Sequence, residues 1–182
     1  EQYRLSYNVH LPTDVLLGHH DADVRAAAGA TIMRFYERTR SLQPTAYCLH
    51  LEKDRHQEMT PDIVGVWLTN LLYSLEILFA AGLPPSLVAV ENIDYTFHWI
   101  YPLIRDLDLP ICLDTGHLAY YLGDNVRLIE EHPTRIGYLH LKQVEPDLLA
   151  HVLKNDIPFA DAVADGVMVE PPGGVPDRAC LL

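Results

Sequence analysis

Five short apolar runs each close on a residue able to bind a divalent cation: Tyr7-Asn8-Val9-His10, Ala46-Tyr47-Cys48-Leu49-His50, Leu87-Val88-Ala89-Val90-Glu91, Ile111-Cys112-Leu113-Asp114 and Gly137-Tyr138-Leu139-His140. Neutral imidazole nitrogen and carboxylate oxygen both ligate zinc, manganese or iron, so this recurring set of strand-end residues reads as a metal centre. One histidine after an apolar run is ordinarily a strand-end residue with no such role. Repetition at the same structural address is what favours the metal reading.

The elements that must position these residues follow from the same runs. Each has the length and the β-branched or aromatic content of a buried parallel strand, and each precedes a helix-like segment. The polar residues then fall at the carboxyl ends of successive strands, the edge where α/β proteins build active sites. Between the first two runs, Val24, Ala27, Ala28, Ile32 and Phe35 recur at helical spacing and predict a crossover helix over 21–40. Thr60-Pro61 reads as a cap and a first-turn proline. The stripe of Val64, Leu68, Leu71, Leu72, Leu75 and Leu78 then runs to Gly82, before Pro84-Pro85. This stripe is core packing, because it spans too few heptads for a zipper.

Shorter helices are predicted over 98–107, interrupted or started near Pro102, and over 125–131 after the cap-like Asp124. Segments 145–153 and 159–164 also read as short helices. Val167 to Glu170 resembles a strand but runs into Pro171-Pro172-Gly173-Gly174, and about 171–182 reads as a loop or disordered tail. Alternation of this kind predicts an α/β fold with parallel strands and right-handed crossovers, as one domain over 1–182.

Composition narrows the function classes. A chain of 182 residues with 49% hydrophobic content can bury a real core. No eighteen-residue apolar run stands out, so neither a transmembrane helix nor a signal peptide is expected, and no membrane partner. The net charge of -12 argues against a nucleic-acid track, which would need clustered Lys and Arg. Cys48 and Cys112 lie in predicted strands and Cys180 in the tail. An odd count with no C-x-x-C pair implies reduced thiols in a cytoplasmic setting, with Cys48 and Cys112 as small core hydrophobes.

The motifs Val-His-Leu-Pro, Leu-His-Leu-Glu, Val-Glu-Asn-Ile-Asp-Tyr, Cys-Leu-Asp-Thr-Gly-His-Leu and Leu-His-Leu-Lys together resemble the xylose isomerase-like TIM barrels, a superfamily of endonuclease IV-type enzymes and sugar isomerases and epimerases. From about Tyr7 to Tyr121 the chain is most similar to cobamide-remodelling phosphodiesterases, carried by Tyr7 to Asp14, Glu91 to Tyr95 and Cys112 to Leu118. That resemblance implies hydrolysis of the nucleotide loop of an adenosylcobamide. From His140 onward, Leu-His-Leu-Lys-Gln-Val-Glu-Pro, Phe159 to Val163 and Gly166 to Met168 look more like the inosose dehydratase and sugar isomerase branch. The implied substrate is thus a small molecule, a cobamide or a sugar.

A complete barrel of this type has eight strands. The resemblance places the first run here at the third strand, so the expectation is an incomplete (β/α)8 barrel lacking its first two strands and its last. An unclosed sheet has exposed edges that favour a homo-oligomer.

Carried over by resemblance, Glu91, Asp114 and His140 match the core metal ligands, with Glu91 and His140 also catalytic. His117, His10 and His50 match the further ligands of the multi-metal branch. Asn92, Asp94 and Tyr95 follow the Glu91 strand as candidate substrate contacts, and Glu170 is a weaker candidate ligand, read either as the closing strand's carboxylate or, by the inosose dehydratase-like resemblance, as part of the loop before that strand. The implied cofactor is divalent metal, zinc or manganese ahead of iron. A phosphodiester mechanism would use two ions bridged by Glu91; an isomerase or dehydratase would use one, held by Glu91, Asp114 and His140. The endonuclease branch also carries an Asp-x-His after the His140 strand, and this chain has none there. A barrel remnant without a complete site is the non-catalytic alternative. His19 and His20 read as a solvated loop, and Trp67 and Trp99 as packing residues.

Overall fold

A computed structural model describes residues 6–120, 125–144, 146–155, 157, 161 and 168–169. Five parallel strands, β1 (Asn8–His10), β2 (Ala46–Leu49), β3 (Val88–Glu91), β4 (Ile111–Asp114) and β5 (Ile136–His140), form one sheet in sequential order. Consecutive parallel neighbours joined by helices are the repeating unit of an incomplete TIM barrel. Register follows the apolar runs: Val9 pairs with Tyr47 and His10 with Cys48, while Cys48 pairs with Ala89 and Leu49 with Val90.

The chain divides into two compact units, 1–91 with 96–111, and 92–95 with 112–182. In the first, β2 and β3 are buried along their whole lengths, whereas β1 alternates in exposure. Strands covered on both faces are continuous apolar runs for this reason, and an edge strand need not be.

Helix α1 (Ala22–Thr39) starts where Asp21 accepts a hydrogen bond from the Asp23 amide at 2.8 Å. Its buried residues are Ala28 and Ile32, so the inward stripe follows the i, i+4 line; Ala27 and Phe35, expected to face inward, are exposed. Helix α2 (Pro61–Ala80) begins on Pro61, with Thr60 at the cap position but making no capping bond through its side chain. It buries Val64, Trp67, Leu71, Leu75 and Leu78, with Leu72 turned outward. Gly82 ends it at φ 103°, the left-handed conformation that glycine adopts without penalty. By length and composition α2 is the one helix among the described residues apolar enough to cross a membrane, a test that a buried core helix also passes.

Helix α3 (Phe97–Asp106) runs unbroken through Pro102, contrary to the expectation that this proline interrupts or starts it. Proline there forfeits one backbone hydrogen bond. Burial of Phe97, Ile100, Leu103 and Ile104 on one face holds the helix together across it.

In the second unit, β4 is followed at once by α4 (Thr115–Tyr120), then by α5 (Asn125–Glu131), β5 and α6 (Pro146–Lys154). Helix α4 has no counterpart among the expected elements. Strand β5 alternates in exposure, with Leu139 outward. After it, β6 (Gln143–Val144) pairs antiparallel with β7 (Met168–Val169), so the strand-like stretch at Met168 forms a small separate ribbon. Glu170, Cys180, the 171–182 tail and most of the 159–164 segment lie outside the described residues.

Candidate metal centre

In the first unit the strand-end residues converge on one carboxylate oxygen. Glu91, 2% exposed at the end of β3, has its Oε2 3.0 Å from His50 Nε2 and 3.4 Å from His10 Nε2. The Cys48 thiol donates to the same oxygen at 2.8 Å. Period-two alternation puts Cys48 and His50 on the same side of the β2 segment, and the register sets His10 beside Cys48.

Both imidazoles are held by their far nitrogens. His10 Nδ1 lies 2.8 Å from the Leu11 carbonyl, which can only accept, so this nitrogen carries the proton and Nε2 faces Glu91. His50 Nδ1 is 3.1 Å from Glu52 Oε1, with the same result. Metal-binding histidines are typically oriented in this way, by a carbonyl or carboxylate on the nitrogen away from the ion.

Glu52 is itself positioned from below. Trp67 Nε1 donates to the Glu52 carbonyl at 3.3 Å, and Trp67 fits only because residue 18 is glycine. A Cβ at Gly18 would lie 2.2 Å from Trp67 Cδ1. Helix α2 also straps the loop after β1, through Ser74 Oγ to the Leu17 carbonyl at 2.7 Å and Asn70 Nδ2 to the His19 carbonyl at 3.2 Å.

Electrostatics match this arrangement. Burial works against a charged His50, but hydrogen bonds to Glu52 and Glu91 outweigh it and push its pKa up to about 9. The hydrogen bond to Glu91 likewise raises His10, against the opposing effect of partial burial. Without a cation, protons on the imidazoles balance the buried carboxylate. With one, the same donor atoms are available as ligands.

The second unit holds the other ligand candidates. Asp114 Oδ1 accepts from the amides of Gly116 at 2.7 Å and His117 at 2.9 Å, capping α4. Its Oδ2 lies 3.9 Å from His140 Nδ1. Donor atoms of Asp114 and His117 also lie within 4.8 Å of each other. Thr115 Oγ1 accepts from the Lys142 amide at 2.9 Å, tying α4 to the segment after β5. Gly116 leaves room for this strap, because a Cβ there would sit 2.7 Å from Lys142 Cγ.

Asn92, 2% exposed, engages the backbone of Asp114 with both ends of its amide, donating to the carbonyl at 2.9 Å and accepting from the amide at 2.8 Å. Tyr95 is buried and Asp94 half-buried on the same loop. Cys48, Glu52 and Asn92 act through contacts that apolar patterning cannot reveal. For Cys48 the available signal is its spacing of two from His50.

The donor set of nitrogen, oxygen and sulfur in the first unit, and of oxygen and nitrogen in the second, fits a divalent cation. No protein-family model matches the chain. It is 32% identical over 163 residues, 85% of its length, to the inosose dehydratase of Histophilus somni, covering 53% of that protein. Among solved structures it is similar to a D-tagatose 3-epimerase-like protein, with TM-score 0.60, 20% identity, and 76% of this chain aligned on 56% of that one. The 3-keto-D-glucoside 4-epimerase of E. coli aligns with TM-score 0.62 and 14% identity, over 82% of this chain and 66% of that one. The chain thus spans about half the length of the inosose dehydratase it matches. These relatives overturn the cobamide phosphodiesterase expectation, since they are dehydratases and epimerases and not phosphodiesterases. The residues that prompted it, Glu91 to Tyr95 and Cys112 to Leu118, are the same stretches that carry the resemblance to the isomerase-like barrels as a whole, so they do not separate its branches. With five sequential parallel strands alternating with helices and structural neighbours of this kind, the chain has the xylose isomerase-like TIM-barrel fold in incomplete form.

Proposed function

We propose that the protein is part of a divalent-metal-dependent lyase that removes water from a keto-cyclitol of the inosose type. The observation that supports this most is the 32% identity to an inosose dehydratase along 85% of the chain. The epimerase structures, at 14–20% identity, support the fold alone.

In this reading Glu91, Asp114 and His140 are the principal ligands, with His10, His50 and His117 as further donors, and Asn92, Asp94 and Tyr95 border the substrate. The first three are proposed because each ends a strand of the parallel sheet, the edge at which such folds carry their chemistry. When bound, a divalent ion supplies Lewis acidity toward the substrate carbonyl or hydroxyl.

The chain's own residues handle the protons. Elimination needs a base for the proton beside the carbonyl and an acid for the departing hydroxyl. With Glu91 held as a ligand, a second carboxylate takes the proton beside the carbonyl, and Asp94, half-buried on the loop after β3, is the one proposed beside the substrate. His140 borders the reacting atoms beside Asp114 and passes the second proton. Burial of Glu91 keeps bulk water away from this exchange.

The test is to load the purified chain with manganese, cobalt or zinc, measure metal by mass spectrometry, and follow loss of one water from inosose. Metal and turnover that both vanish in Glu91→Gln and Asp114→Asn support the reading. Bound metal with epimerisation of a keto sugar, and no water loss, would replace it. Absence of both metal and turnover would mean a barrel remnant without a working centre.

A further inference from the structure

Cys48 occupies a place that a plain core residue does not explain. It lies in a wholly buried strand, its sulfur on Glu91 Oε2, and donor atoms of His10, Cys48 and Glu91 all fall within 4.8 Å of one another. At zinc bond lengths of roughly 2.0–2.3 Å, tetrahedral ligands stand about 3.3–3.8 Å apart, so the three atoms need only small outward shifts to surround an ion. The Leu11 carbonyl already fixes His10 with Nε2 toward Glu91. Alanine would fill nearly the same volume as a core hydrophobe, whereas the thiol adds a soft donor.

Resting on the metal reading above, we propose that Cys48 is itself a metal ligand, forming with His10 Nε2 and Glu91 Oε2 a nitrogen, sulfur and oxygen donor triplet that steers the centre toward zinc, cobalt or iron over magnesium. Binding exchanges the thiol proton for the cation: the S–H bond breaks, the proton leaves to solvent, and no electron is transferred. Soft thiolate favours zinc-like ions and contributes little to magnesium, which prefers oxygen ligands. The site thereby selects its metal through a residue outside the usual His and carboxylate set.

Titration of the full chain with cobalt(II), followed by absorption, tests this directly. Cobalt bound by thiolate gives an intense near-ultraviolet charge-transfer band, while any bound cobalt gives weak visible bands. The expected result is both in the unaltered protein, and loss of the near-ultraviolet band alone in Cys48→Ser. Zinc affinity of that variant should fall on the order of tenfold to a hundredfold, with magnesium affinity unchanged. A Cys112→Ala, Cys180→Ala double variant should keep the band, and circular dichroism establishes that each variant is folded. If Cys48→Ser does not fold, Cys48→Ala and the double variant carry the comparison. Visible bands without charge transfer in the unaltered protein would overturn the Cys48 assignment while leaving the metal centre standing. No cobalt spectrum at all would overturn both.

Discussion

His50 and Glu52 are joined through Nδ1 and Oε1 at 3.1 Å, two residues apart at the end of one strand, and this contact turns the other face of the imidazole toward Glu91. A carboxylate behind a histidine fixes its tautomer and raises its basicity. Glu52→Gln keeps the shape but gives up the charge. It should weaken zinc binding on the order of tenfold to a hundredfold, read by competition with a chromophoric chelator, while Glu58→Gln at an exposed position on the same segment leaves it unchanged.

Protonation of His50 gives a pH signature in the metal-free protein. Its folded pKa of about 9 exceeds the ordinary 6.5, so its contribution to stability is complete below pH 6.5 and is lost as pH rises through about 9. Thermal unfolding of the metal-free chain should therefore show a falling midpoint across that window. In His50→Gln the fall should be shallower. Metal uptake near pH 7 should also release protons, seen as a calorimetric heat that changes with the ionisation enthalpy of the buffer.

Asn92 is expected to act by holding Asp114. Removing its amide in Asn92→Ala leaves the Asp114 amide hydrogen and carbonyl without their side-chain partners in a buried place. The cost should be about 1–3 kcal/mol in denaturant unfolding, with the larger share from the orphaned donor. Asn92→Asp keeps the acceptor but sets a buried carboxylate oxygen against the Asp114 carbonyl, so at neutral pH it should be at least as destabilising as Asn92→Ala.

Two glycines should tolerate no side chain. Gly18→Ala drives a methyl into the Trp67 ring, and Gly116→Ala drives one against the Lys142 side chain. Overpacking of this kind costs typically about 1–3 kcal/mol. The Lys142 stem can yield more easily than a buried indole, so Gly18→Ala should be the more damaging in thermal unfolding. Gly65→Ala, where no atom lies within 4 Å, is the harmless control.

Much of the fold is legible in the sequence because buried parallel strands are written as apolar runs and their ends as abrupt polar residues. Val88 to Glu91 and Ile111 to Asp114 show this most directly, being buried throughout up to the carboxylate. Helix α2 is equally plain from its leucines and its flanking Pro61 and Gly82. Other features depend on tertiary contacts. No helix is expected over Thr115 to Tyr120, yet Asp114 caps one there. Pro102 reads as a break, yet packing outweighs the missing hydrogen bond. Ala27 and Phe35 fit helical spacing but miss the inward face. Cys48 reads as core filler because burial and chemistry look alike in a strand, and its neighbour Glu91 is supplied from far along the chain. The substrate branch is misread for a different reason: the stretches around Glu91 and Asp114 carry the resemblance to the isomerase-like barrels as a whole and do not encode which substrate is taken.

The division of labour within Asp114 has one more implication. With Oδ1 bound to two main-chain amides, this side chain is not at liberty to pivot. A cation held there, as proposed, would meet Oδ2, the oxygen outside the cap, on a side chain whose rotational entropy was surrendered when the chain folded. On that proposal the carboxylate would bind through one oxygen, and changes in coordination number would fall to the other groups around the ion.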